Sequence, residues 1–299
     1  MIHYDRCPLC DSTGIHKVLS VKDYTVSQTY FDIWQCAHCS VRFTQDIPEI
    51  DKIGAYYKSE DYISHTDTGK GIINWLYLRV RKITLGVKYR FIKNETGVKQ
   101  GSLLDIGAGT GAFLAFMRDK GWNGEGLEPD NTAIKRAASQ YGLQLKSSHE
   151  LFQLQHSSFD AVTMWHVLEH VHDLHGYMQQ IKKLLKTNGR LFVAVPNYTS
   201  RDADFYGAAW AAYDVPRHLY HFSPASMKLL AARHGFTIKR IQPMWFDSFY
   251  VSLLSERYMK TKTGLIRGFL KGFGSNMKAW SNPRKASSVI YVFAVQDPA

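Results

Sequence analysis

Apolar and polar positions along this chain follow two periods, and the switches between them mark its elements. Near the start, Lys17–Val21 and Tyr30–Trp34 alternate at a period of two, as short strands do. From Ile72 a helical period sets in: Ile72, Leu76, Val80, Ile83, Val87 and Phe91 fall on one stripe, flanked by Arg79, Lys82, Arg90 and Lys93. Beyond residue 101, compact apolar runs alternate with helical patterns. Leu103–Ile106 enters a glycine turn, and a helix is expected from Ala112. Trp122–Leu127, the short Leu143–Lys146 segment, Phe159–Met164 and Arg190–Asn197 read as further strands, the last behind an Asn188-Gly189 turn. Ser223 caps a helix whose first residue is Pro224. Ser287–Val295 reads as a final strand paired with one near Thr237–Ile241. Between about Phe249 and Pro283 lies an insertion mixing apolar and basic positions. Gly264, Gly268, Gly272 and Gly274 there predict weak helices.

Strands alternating with helices in this way predict an α/β fold. The 299 residues are 45% apolar and 21% charged, which suits an ordinary globular chain with one full domain and a smaller unit. Three segments are expected: residues 1–45, a helical linker over 46–100 opened by the breaker Asp46–Glu49 and the tyrosines Tyr56, Tyr57 and Tyr62, and a core over 101–299. Met1–Arg6 lacks the apolar stretch of an export signal, and no apolar run is long enough to span a bilayer, so a cytoplasmic protein is expected.

The net charge of +11 is unevenly placed: residues 71–100 carry +6 and residues 256–285 carry +7, which leaves the remaining chain at −2. The expected partner is therefore anionic. A solvated helix face, a membrane surface and nucleic acid stay open as readings of these two segments. The oligomeric state is not legible.

All four cysteines fall in the first 39 residues, as Cys7-x-x-Cys10 and Cys36-x-x-Cys39. One such turn could be a redox pair; two, in a chain without an export signal, make a tetrahedral Cys₄ zinc site the expectation. Four thiolates leave no open coordination position, so that zinc would be structural. A segment this short also needs the metal to fold.

The turn after Ile106 carries Gly107, Ala108, Gly109 and Gly111. Glycines at a strand–helix junction let a ligand lie against the backbone, and alone they leave NAD and other nucleotide cofactors open. Asp105, two residues before the first glycine, suits a cofactor with a cationic amino-acid end and favours S-adenosyl-L-methionine. Glu128 closes the next apolar segment, where a carboxylate can accept two ribose hydroxyls.

This order of motifs resembles the class I S-adenosylmethionine-dependent methyltransferases from about Gly101 onward. The resemblance implies a Rossmann-like core of seven strands behind the zinc ribbon and helical linker. It places Gly107, Ala108, Gly109 and Gly111 at the cofactor, Asp105 near its amino-acid end and Glu128, followed by Pro129, at the ribose. Trp165 and His166 would lie beside the methionine portion. Many relatives hold the adenine with an acid after the third strand; this chain offers serines there, and Ser148 is the candidate. The Pro216-Arg217-His218-Leu219 segment resembles that of small-molecule and nucleotide-sugar C-methyltransferases, and implies His218 as general base with Arg217 and Tyr213 orienting the acceptor. The resemblance carries no further C-terminal domain here. A structural role for His218, and an ion pair of Arg217 with Glu169 or Asp214, are the competing readings. The expected activity is methylation of a hydroxyl or acidic carbon on a small molecule, such as a sugar nucleotide or a glycan or lipid precursor. RNA methylation and a non-catalytic adaptor are the alternatives.

Overall fold

The computed structural model describes residues 1–57 and 72–296, the side chains of residues 72–82 excepted. Tyr62, and the side chains of Ile72, Leu76, Val80, Arg79 and Lys82, lie outside the described residues.

The N-terminal strands β1 (Ile15–Lys22), β2 (Tyr30–Cys36) and β3 (Arg42–Thr44) form an antiparallel sheet. A fourth strand, β8 (Tyr220–His221), joins its edge from far along the chain, pairing Arg42 with His221 and Phe43 with Tyr220. The cysteine segment is thus stitched to the rest of the molecule. Leu9, Val41 and Phe43 share one buried cluster with Leu219, Tyr220 and Phe222.

The central sheet is built on β4 (Ser102–Ile106), β5 (Asn123–Leu127), β6 (Phe159–Trp165), β7 (Leu185–Pro196), β9 (Phe236–Pro243) and β10 (Ser288–Val295), in the order β5-β4-β6-β7-β10-β9. The first four are parallel, and β10 runs antiparallel to both its neighbours. Both faces are covered, and the period of two sorts side chains between them. Leu104, Ile106, Val162 and Val193 enter one cluster; Leu103, Ala161, Phe192 and Val292 enter the other.

Three details differ from the sequence-based expectation. The sheet has six strands, and the seventh position is held by a single parallel bridge between Lys146 and Leu127. Gly142 ends helix α3 (Asn131–Tyr141) and Ser147 already caps the next turn, so only residues 143–146 remain to run beside β5. Asn188 and Gly189 lie inside the long β7 as an irregularity against β6. Along the described part of helix α1 (Ile72–Thr96), the expected stripe holds at Phe91 and fails at Ile83 and Val87. Ile83 and Val87 are exposed, while Phe91 and Ile92 are buried and Leu85 and Tyr89 pack against the core.

Helix α2 (Ala112–Asp119) follows the glycine turn, α4 (Leu174–Leu184) follows β6, and α5 (Arg201–Tyr206) follows β7. Helix α6 (Pro224–Arg233) begins at the Ser223 cap, whose Oγ accepts from the Ser226 amide. The insertion forms two packed helices, α7 (Asp247–Tyr258) and α8 (Gly264–Ser281). Its glycines do not weaken α8 as expected, because Gly268 and Gly272 sit at the contact with α7 and let the backbones close. Among the described residues no helix is long and apolar enough to cross a membrane.

Candidate active site

The glycine turn closes over the ends of β4 and β5. Gly107 and Ala108 both donate their amides to the Leu127 carbonyl, at 2.8 and 3.0 Å, which ties the turn to the neighbouring strand. Its glycines are required for different reasons. A Cβ on Gly107 would lie 2.4 Å from Val167 Cγ2, and one on Gly111 2.9 Å from Leu143 Cδ1, so those two serve close packing. Gly109 has φ +56 and nothing within 4 Å of the Cβ position. It alone of the three opens onto free space of the kind a cofactor's backbone-hugging edge fills.

Glu128 is fixed beside that opening. Its two oxygens accept from the Gly109 amide at 2.7 Å and the Asp130 amide at 3.0 Å, leaving lone pairs for further donors. Pro129 is exposed beside it, and Ser148, half-buried, opens the turn after Lys146.

Asp105 is buried at the end of β4, and its Oδ1 accepts from Thr163 Oγ1 at 2.6 Å. Burial pushes its pKa up to about 7, against the pull of Thr163 and of the Lys88 charge. Lys88, from α1, stands with its Nζ 4.1 Å from the centre of the Trp165 ring. Burial lowers its pKa to about 8 although Asp105 and Asp247 oppose the shift. The Trp165 Nε1 is itself buried with no hydrogen-bond partner among the described residues. An acid short of donors, a lysine short of acceptors and an orphaned indole N–H together fit the zwitterionic end of an amino acid.

Next along the chain, His166 has φ +58 and its ring is held at both nitrogens. Nδ1 lies 3.3 Å from Glu169 Oε1, and Nε2 lies 2.7 Å from Asp247 Oδ2 at the start of α7. Burial opposes its charge, but Asp247 and then Glu169 outweigh it and raise the pKa to about 10. His166 is therefore an imidazolium at neutral pH and cannot act as a base there. Glu169, in a short 3₁₀ turn, is fully buried, and its Oε2 has no partner among the described residues. Burial opposes its charge too, yet His166 holds its pKa below the carboxylate range.

One donor atom each from Glu169, His170 and His218 falls within 4.8 Å of the others, the composition of a two-histidine, one-carboxylate set. The His170 and His218 rings meet edge to face at 4.6 Å. His170 lies in the same 3₁₀ turn as Glu169, and burial followed by the neighbouring His218 lowers its pKa to about 4. His218 is buried, with Nδ1 2.8 Å from the Ala212 carbonyl. A carbonyl can only accept, so Nδ1 carries a proton and Nε2 is the position at which the ring can take or give one.

Two residues expected at the acceptor serve elsewhere. Arg217 is 1% exposed, and its guanidinium is bound by Asp214 (2.6 and 3.0 Å), Asp23 (3.0 Å) and the Tyr56 carbonyl (2.9 Å). It locks the loop after β1 to the core, with each of its three nitrogens engaged there. Tyr213 is equally buried, and its hydroxyl accepts from Arg42 of β3 at 2.8 Å. Conversely, Lys88 and Asp247 join the site without having been singled out. Lys88 is in phase with Leu85, Tyr89 and Ile92, and a lone lysine on that inward face was the available signal.

At the far end, Cys7 Sγ lies 3.6 Å from Cys39 Sγ, and Cys10 Sγ lies 3.6 Å from Cys36 Sγ. All four sulfurs fall within 4.8 Å of one another. The separations are far beyond a disulfide's roughly 2.05 Å and close to the edge, about 3.8 Å, of a tetrahedron of metal–sulfur bonds of about 2.3 Å. The donor set fits a metal ion.

Residues 79–241, more than half of the chain, match a family model described as a methyltransferase domain. The ubiquinone biosynthesis O-methyltransferase of Maricaulis maris is 27% identical over 150 residues, a match covering 46% of this chain and 59% of that protein. The ubiquinone biosynthesis O-methyltransferase of Idiomarina loihiensis is 30% identical over 185 residues, covering 57% of this chain and 76% of its own. Among solved structures, a candidate sarcosine dimethylglycine methyltransferase from Galdieria sulphuraria aligns with a TM-score of 0.51 at 17% identity, covering 71% of this chain and 85% of that one. That likeness supports the fold alone.

Proposed function

The chain belongs to the methyltransferase-domain family and is a class I S-adenosylmethionine-dependent methyltransferase; from that premise we propose that it methylates a hydroxyl of a small acceptor, with His218 as the base. Support for the hydroxyl comes from the relatives, which are named O-methyltransferases. They lend nothing to a sugar nucleotide, so the acceptor is taken no further than a small hydroxylated molecule.

When bound, S-adenosylmethionine supplies a methyl group on a sulfonium. Asp105 is the acceptor for its ammonium, Lys88 and the Trp165 indole N–H are donors for its carboxylate, and Glu128 accepts from its ribose. Gly109 lets it approach the turn, and Ser148 is the nearest polar side chain read for the adenine. His218 Nε2 takes the proton as the acceptor oxygen bonds to the methyl carbon; the carbon–sulfur bond breaks and S-adenosylhomocysteine leaves. The Glu169 carboxylate then faces an imidazolium. The observation that carries this role is the Nδ1 bond to Ala212, which fixes the tautomer a base needs. Cys7, Cys10, Cys36 and Cys39 would hold a zinc ion, which would brace the N-terminal sheet and, with four thiolates, leave no open position for the reaction.

The test is S-adenosylhomocysteine release with phenolic, sugar-nucleotide and RNA acceptors. On the accepted class, His218→Gln should keep cofactor binding while kcat falls by about 10²–10⁴. Unchanged kcat in a folded variant would make His218 a structural residue.

A further inference from the structure

Helices α7 and α8 are built inside out. The α8 residues turned to the protein are small: Gly268, Gly272, Ser275 and Ala279 are buried, and Gly268 and Gly272 back onto Leu253 and Phe249 of α7. A Cβ on Gly268 would lie 3.0 Å from Leu253 Cα, and one on Gly272 2.9 Å from Phe249 Cα. Polar groups anchor this inner side. Ser275 Oγ donates to Asp202 at 2.6 Å, and Arg267 pairs with the buried Glu256 at 3.1 Å.

The large apolar side chains point the other way. Leu265, Ile266, Phe269, Leu270, Phe273 and Met277 are each more than half exposed, and Trp280 is 85% exposed. At 3.6 residues per turn they occupy a single arc of roughly 140°. A continuous apolar stripe of this size on a solvated helix calls for an occupant.

Charge identifies it. From Arg257 to Lys285 the chain has eight basic residues and no acidic one. Two copies meeting through this face would bring two such segments together against their mutual repulsion. An anionic lipid surface satisfies both features, since it takes apolar side chains into the headgroup boundary and attracts the basic flanks. A terminal tryptophan also favours that boundary.

We propose that the outer face of α8 is a docking site for an anionic membrane surface, on which the helix lies flat without crossing. Helix α7 begins at Asp247, which holds His166, so the docked pair is joined directly to the methionine end of the cofactor site. Docking does not depend on which acceptor is methylated.

The experiment is flotation of the full chain with vesicles of phosphatidylcholine alone or mixed with phosphatidylglycerol, beside light scattering without lipid. Wild type should float with the anionic vesicles only and scatter as a species that Leu270→Glu/Phe273→Glu leaves unchanged. That double variant, both sites being exposed, should stay folded, still bind S-adenosylhomocysteine and lose flotation. Lys262→Gln/Lys278→Gln/Arg284→Gln should weaken partitioning by about a hundredfold, at about 1 kcal/mol per charge. Failure of wild type to float, equal flotation of the folded Glu variant, or a lipid-free dimer that this variant dissociates would each overturn the proposal.

Discussion

Among the described residues, the buried charges around Arg217 and those around Asp105 have been treated in opposite ways. Around Arg217 every nitrogen has a partner. Asp23, its distant acid, also accepts from the amides of Thr25, Val26 and Ser27. Burial disfavours the Asp23 charge, but the Ser27 amide and Arg217 hold its pKa down at about 2. Around Asp105 the needs are left open: one donor from Thr163, a lysine pushed toward neutrality and an indole N–H with nothing to meet. Burying charge is costly, and both clusters carry that cost. Where partners saturate the cluster, the result is a clasp between chain segments. Where capacity is left over, a ligand must complete it. The Pro-Arg-His-Leu resemblance placed Arg217 at the acceptor, and the competing reading of an ion pair with Asp214 is the one the contacts bear out.

The largest expected effect breaks the clasp. Arg217→Leu leaves Asp23 and Asp214 buried without their partner and should cost about 3–5 kcal/mol. Thermal unfolding should show a large drop in midpoint; a shift confined to substrate KM would instead return Arg217 to the acceptor site.

Asp105→Asn should do the reverse. In the folded chain Asp105 has a pKa near 7, against about 3.9 unfolded. The native state therefore binds more protons, and stability falls as pH rises from about 4 to about 7. Removing the charge abolishes that loss, so at pH 8 the variant should melt at or above wild type. Its affinity for S-adenosylhomocysteine should fall about 10- to 100-fold, the worth of a hydrogen bond to a charged group. A destabilised variant with unaltered affinity would make Asp105 a second clasp.

A smaller effect sharpens the contrast at His166, which is partnered yet touches the open cluster. Its pKa is raised to about 10, from about 6.5 unfolded. Its contribution is then complete below about pH 6.5 and lost as pH climbs through 10. The melting gap between wild type and His166→Gln should narrow over that range, and a constant gap would show that the ring packs without charge.

What the sequence made legible was local. The glycine turn, Glu128 and the two cysteine pairs are short-range devices, in which residues a few positions apart impose one geometry. The strands β4, β5, β6, β7, β9 and β10 were legible as apolar runs for the same reason, while the seventh expected strand is reduced to the Lys146–Leu127 bridge. What stayed hidden depends on distant partners. Nothing near Arg217 announces Asp23, which lies 194 positions away. Lys88 looked like one more basic residue on a basic helix until the fold set it against Trp165. The glycines of α8 read as helix breakers because their compensation, close approach to α7, is invisible along the chain.

Cofactor binding at the unsaturated cluster around Asp105 is the property on which the site's chemistry depends. The direct measurement is calorimetric titration of S-adenosylhomocysteine into wild type and Gly109→Arg, each shown to be folded and prepared with zinc present. Micromolar binding by wild type, absent from the variant whose side chain fills the open space at Gly109, is the expected result. A folded, metal-loaded wild type that binds no S-adenosylhomocysteine, or a Gly109→Arg variant that binds it equally well, would contradict the account.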